Sequence, residues 1–124
     1  ASGFIFTTSL PPAIAKAIFS NISYLQKSDL ERNKLHENVA KLKLALSDAK
    51  INFVENQSHI ISIKVGDAKK SQEFSKRLLE DFDIYVQHIN YPTVAKGDER
   101  LRITITPFHD DEMISNLVAA LKAL

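Results

Sequence analysis

The run Leu101-Arg102-Ile103-Thr104-Ile105-Thr106 sets one arginine among β-branched and apolar residues. Period-two alternation sends Leu101, Ile103 and Ile105 to one face of a strand and Arg102, Thr104 and Thr106 to the other. That polar face must meet water or a ligand. The planar guanidinium of Arg102 matches a carboxylate with two parallel hydrogen bonds, whereas Arg100, at a loop end, is expected to be solvated. From alternation alone, a solvated Arg102 and a carboxylate-binding Arg102 both fit. Just upstream, Asn90-Tyr91-Pro92-Thr93-Val94 forms a rigid turn that a short polar stretch joins to this strand. Near the start, Thr7, Thr8 and Ser9 stand before Leu10-Pro11-Pro12, at the N-terminus of an expected helix. Their hydroxyls can cap that helix or receive an anion such as a phosphate.

Other chemistries lack candidates. His36, His59, His88 and His109 have no i,i+4 partner or adjacent carboxylate cluster, so no metal site is expected. Three glycines, at 3, 66 and 97, cannot make a glycine-rich phosphate loop, and there is no nucleophile elbow. The absence of cysteine removes thiolate metal sites, disulfides and cysteine nucleophiles together.

The elements that position these residues follow from spacing. A strand is expected at residues 4–8. Pro11 and Pro12 then open a helix, because a first-turn proline loses no hydrogen bond, and Ile14, Ile18, Ile22 and Leu25 recur at helical spacing. Ser28-Asp29-Leu30-Glu31 reads as a capping box that starts a second helix striped by Leu35, Val39, Leu42 and Leu46. Short strands are expected at 52–54 and 59–65, a helix from Lys70 to Asp81 with Phe74, Leu78 and Leu79 on one face, and a strand at 84–87. The strand of Arg102 follows the 90–99 loop, and Asp110-Asp111-Glu112 opens a last helix carrying Met113, Leu117 and Leu121. The order implies an α+β fold, a small, mainly antiparallel sheet covered by helices on one face.

At 124 residues and 44% hydrophobic, the chain suits a single globular domain with a modest core. A formal net charge of +1 is too balanced for a nucleic-acid-binding stripe. No apolar run approaches the roughly 18–20 residues that span a bilayer, so no membrane is expected as a partner.

The opening Phe4-to-Pro12 segment, Ser58-His59-Ile60-Ile61, Ile84-to-Asn90, the Asn90-Tyr91-Pro92-Thr93-Val94 loop and Leu101-to-His109 together resemble the α-oxoamine synthases, and the loop resembles the 5-aminolevulinate synthase branch in particular. The resemblance implies the C-terminal domain of a fold-type I pyridoxal-phosphate enzyme, with residues 1–10 as the last strand of a large domain and 11–124 as the small domain. It implies condensation of glycine with succinyl-CoA to give 5-aminolevulinate, CoA and CO2, on the route to haem, by a homodimer with shared active sites. Arg102 then matches the arginine that grips the carboxylate of glycine. Thr93, with Asn90 and Tyr91 beside it, matches the loop that closes over the acyl substrate. Thr8, and with it Thr7, matches hydroxyls that reach the cofactor phosphate of the neighbouring subunit.

Two departures stand against this pattern: Ala95-Lys96-Gly97 replaces a common Pro-Arg-Gly, and Ser62 replaces a strand proline. The family's Schiff-base lysine lies in a Gly-Lys context upstream, and no glycine here precedes a lysine. The chain therefore reads as a fragment that is inactive alone, with Phe4, Ile5 and Phe6 displaced or paired with another copy. Its Lys, Ile and Asn content suggests a bacterial, hence cytoplasmic, parent, with the mitochondrial matrix the counterpart in a eukaryote. An 8-amino-7-oxononanoate synthase-like enzyme would share Arg102, and a noncatalytic interaction module would share the fold.

Overall fold

Two prolines and the Ser28-to-Glu31 turn set the first helices of the chain, although the reciprocal amide bonds of a capping box are replaced by a contact between the two side chains and the Ser28 amide donates to the Tyr24 carbonyl. In a computed structural model describing residues 10–124, helix α1 runs Pro12–Leu25 with proline in its first turn. Helix α2, Leu30–Asp48, follows a turn in which the Ser28 hydroxyl donates to Glu31 at 3.1 Å. The strand expected at 4–8 lies outside the described residues, as do Thr7 and Thr8. The chain divides into two compact units, residues 1–31 and 32–124. In the first, α1 buries none of its residues, and Ile14, Ile18, Ile22 and Leu25 are each about half exposed.

The second unit holds a three-stranded antiparallel sheet of β1 (Ile60–Lys64), β2 (Gln87–Ile89) and β3 (Arg100–Thr104), in the order β1-β3-β2. Helix α3 spans Ala68–Phe82 and α4 spans Asp111–Lys122. Both have the side-chain caps that the extended residues before them can supply: Asp67 accepts from the Lys70 amide and Asp110 from the Met113 amide, each at 2.8 Å. The register places Ile61 opposite Ile103 and Ile63 opposite Leu101, so alternation stacks these four on one face. Leu42 and Leu46 of α2, Leu78 of α3, and Ile114, Leu117 and Ala120 of α4 complete the core with them. The helices thus supply the core on one face of the sheet, in the α+β layering expected. Each fully buried leucine or isoleucine contributes about 1.5–3 kcal/mol by leaving water.

Three details depart from the sequence reading. The 52–54 strand reduces to one bridge, in which the Val54 amide donates to the Ser62 carbonyl at 2.8 Å. The strand expected at 84–87 begins only at Gln87, because the preceding residues are tied to α3. Asp83 turns left-handed at φ 57°, the Ile84 amide donates to the Leu78 carbonyl, and the Ser75 hydroxyl takes the Val86 carbonyl at 2.6 Å. Leu79 is 48% exposed, since the 100° step from fully buried Leu78 carries it off the core face.

Candidate functional site

The site is built on the open face of the sheet. Arg102 sits in the middle of β3 with Ser62 of β1 and Gln87 of β2 as its cross-strand neighbours. Its guanidinium is exposed and Nη2 donates to Gln87 Oε1. Period-two geometry puts Arg100 on this same face, half-buried and inside β3, rather than at a solvated loop end. Its Nε donates to the Asp98 carbonyl at 2.9 Å. Lys64, opposite Arg100, pairs with the Asp98 carboxylate at 2.7 Å. The Lys64 hydrogen bond, then its charge, with a smaller contribution from Arg100, hold the Asp98 carboxyl below its ordinary value. Asp98 therefore offsets Lys64, while Arg102 keeps a charged fork toward solvent. A small anion with two acceptor oxygens, such as a carboxylate, suits that fork.

The loop from 90 to 99 joins β2 to β3. Its crown is open: Tyr91 is 63% exposed, Thr93 is exposed, and the Lys96 ammonium lies 5.4 Å from the centre of the Tyr91 ring. The Tyr91–Pro92 peptide is cis. Asn90 is placed differently from its neighbours, with both ends of its side-chain amide engaged inside the fold. The Ser71 hydroxyl donates to Asn90 Oδ1 at 2.6 Å and Asn90 Nδ2 donates to the Ala68 carbonyl at 3.2 Å. Its main-chain carbonyl also accepts from the Thr93 amide at 3.0 Å. Asn90 thus anchors the loop to the first turn of α3, while Tyr91 and Thr93 stay exposed on its crown. Sequence reasoning passed over Ser71, whose full burial, and with it the need for a polar partner, is seen only in the fold.

A separate cleft of about 470 Å³ opens between the 82–86 segment, the end of β3 and α4. Ile84, Tyr85, His109, Met113 and Leu117 line it and Arg102 does not. His109 is held there by its own turn, with Nδ1 accepting from the Thr106 amide at 3.0 Å, which leaves Nε2 as the protonated nitrogen of the neutral ring. The four histidines form no metal-ligating group with carboxylates among the described residues, and no described helix is long and apolar enough to cross a membrane.

The model of the family described as aminotransferase class I and II matches residues 1–121. The chain belongs to this aminotransferase family. Within it, the chain is 50% identical over 121 residues to a 5-aminolevulinate synthase of Rickettsia bellii, covering 98% of this chain and 29% of that protein. A 5-aminolevulinate synthase of Rhizobium meliloti is 51% identical over 124 residues, covering 100% of this chain and 31% of the relative. The chain thus spans about three-tenths of the length of the relatives it matches. Among solved structures, a serine palmitoyltransferase variant from S. paucimobilis with a bound PLP–myriocin aldimine superposes with a TM-score of 0.85 at 25% identity, over 97% of this chain and 30% of that one. The aminotransferase-family assignment and the α+β fold therefore agree.

Proposed function

We propose that this chain is part of a 5-aminolevulinate synthase, which joins glycine to succinyl-CoA and releases 5-aminolevulinate, CoA and CO2. The observation that carries the reading is identity near 50%, sustained over nearly the whole chain, to enzymes of that name. The exposed guanidinium of Arg102 on a polar sheet face supports it, because the amino-acid substrate brings a carboxylate.

The described residues suit the substrate end of such a site. Arg102, flanked by Ser62 and Gln87, fits a carboxylate. By resemblance alone, Thr7 and Thr8, outside the described residues, would hold the phosphate of pyridoxal phosphate from the neighbouring subunit of a homodimer. Pyridoxal phosphate, when bound, supplies the electron sink for the bonds broken and made at the α-carbon of glycine. Arg102 grips the carboxylate and so fixes which of those bonds faces the sink. A charge-assisted contact of this kind contributes about 1.5–3 kcal/mol. To receive the substrate, Arg102 exchanges its bond to Gln87 for the carboxylate, and Gln87 remains beside it to limit the guanidinium's rotation. Thr93 and Tyr91 sit on the loop that closes over the acyl group and excludes water, and Asn90 holds the near foot of that loop. No lysine of this chain follows a glycine, so the covalent step belongs to a residue outside it and the 124 residues alone form no product. The relatives named are bacterial, and a cytoplasmic enzyme is the corresponding location.

The test is product formation by the complete protein containing this chain, supplied with succinyl-CoA and with glycine, alanine or serine in turn. Aminolevulinate from glycine, with little product from the other two, supports the reading. Preference for alanine or serine assigns the chain to a sister α-oxoamine synthase, and no condensation with any of them refutes it.

A further inference from the structure

The far foot of the 90–99 loop carries a residue whose burial the loop's substrate role does not require. Glu99 is only 4% exposed, and no described residue pairs with it as an ion. Burying a carboxyl without a cation is costly unless its oxygens are hydrogen-bonded. Here Oε2 accepts from the amide of Gly97 at 2.9 Å, two residues back, while the main-chain carbonyl of Glu99 accepts from the Val65 amide at 2.8 Å and the Gly66 amide at 2.9 Å. Both glycines have positive φ, 75° at Gly66 and 88° at Gly97, which favours residues without a side chain. A Cβ on Gly66 would stand 3.4 Å from the Gly97 carbonyl, so the β1 end and the loop pass at near contact. The Lys64–Asp98 pair closes over the same point. These bonds converge on two residues, Gly97 and Glu99, directly after the exposed crown of Tyr91, Thr93 and Lys96.

We propose that Glu99 is a positioning residue for the acyl substrate: through the Gly97 amide it fixes the far foot of the loop, and so where the Thr93 crown can sit. This rests on the synthase reading for the identity of the substrate. The latch itself rests only on the bonds above. Asn90 and Ser71 hold the near foot, and a loop with both feet held closes by moving its crown alone.

The test uses the complete protein with Glu99→Ala, Glu99→Gln and Gly66→Ala, amide hydrogen exchange read at Gly97, and KM measured for each substrate. In the unsubstituted protein the Gly97 amide, though on an exposed residue, exchanges more slowly than that of Lys96. Removing its acceptor in Glu99→Ala speeds its exchange about five- to tenfold, the worth of one hydrogen bond. KM for succinyl-CoA rises by a similar factor while KM for glycine, set at Arg102, changes less than about twofold. Glu99→Gln, whose amide oxygen can still accept from Gly97, restores both. Gly66→Ala, which strains the positive-φ turn whose amide donates to the Glu99 carbonyl but leaves the Glu99 side chain in place, reproduces the KM pattern of Glu99→Ala and serves if that variant does not fold. An unprotected Gly97 amide, a Gln variant that folds but matches Ala, or a parallel rise in both KM values overturns the proposal. A protein that forms no aminolevulinate but loses Gly97 protection in Glu99→Ala retains the latch, and overturns the synthase reading and with it the acyl-positioning role.

Discussion

Arg102 is the residue on which the functional reading turns, because it carries a charged fork on the uncovered face of a sheet whose other face is core. Replacing it with alanine should lower kcat/KM for glycine about 10- to 100-fold, the equivalent of one lost charge-assisted contact. Lysine there keeps the charge without the planar fork, so Arg102→Lys should fall between the two. Steady-state kinetics with glycine as the varied substrate checks both. A second residue acts on stability. Fully buried Asn38 donates from Nδ2 to the carbonyls of Thr106 at 3.1 Å and His109 at 2.7 Å, while its Oδ1 has no partner. Asn38→Ala strands two carbonyls in the turn before α4 and should cost about 2–3 kcal/mol in urea unfolding, far more than loss of a surface asparagine. The exposure of Arg102 was legible in the sequence because period-two alternation puts it on the polar face, whereas a role there came only from resemblance. Asn38 and Ser71 were not, because a polar residue that bonds across 19 to 71 positions looks locally like a solvated one. Glu99 was not either, because nothing beside it in the sequence marks it as buried.

Among the elements, those whose ends carry their own instructions were read correctly: the prolines of α1 and the acidic start of α4. The second helix was also placed, but Ser28 meets Glu31 side chain to side chain rather than through the reciprocal amide bonds of a capping box. The caps should be measurable, and Asp110→Ala should destabilise the sheet unit by about 1 kcal/mol through loss of its bond to the Met113 amide. The same helix start carries a pH-dependent contact. The Lys41 ammonium and the Asp111 carboxylate meet at 2.6 Å, and that bond lowers the carboxyl below 3.8 and raises the ammonium above 10.5. A depressed acid stabilises the fold fully above its unfolded value and loses that contribution as pH falls through the lower folded one; a raised base loses its contribution as pH rises through the higher folded one. Lys41→Met should therefore lower stability slightly at neutral pH and flatten its dependence below about pH 4 and above about pH 10. Unfolding midpoints across that range test this, and the effect is small because both groups are exposed. The late start of β2 was beyond sequence reasoning. Ile84-Tyr85-Val86 has strand propensity, but Ser75 and Leu78 claim its backbone first, and that competition is tertiary.

For the whole molecule, family and fold agree, and the chain spans about three-tenths of the length of the relatives it matches. The alternation of β1 and β3 and the helical stripes already implied the layered α+β arrangement, whereas the substrate came into view only through resemblance across the chain. Everything proposed for the site depends on Arg102 binding the carboxylate of glycine in an enzyme that makes aminolevulinate. The most direct measurement is aminolevulinate formation from glycine and succinyl-CoA by the complete protein, beside its Arg102→Ala variant and the 124-residue chain alone. The complete protein should form product, the variant should lose about 10- to 100-fold in kcat/KM for glycine, and the isolated chain should form none. Undiminished use of glycine without Arg102 would contradict that role.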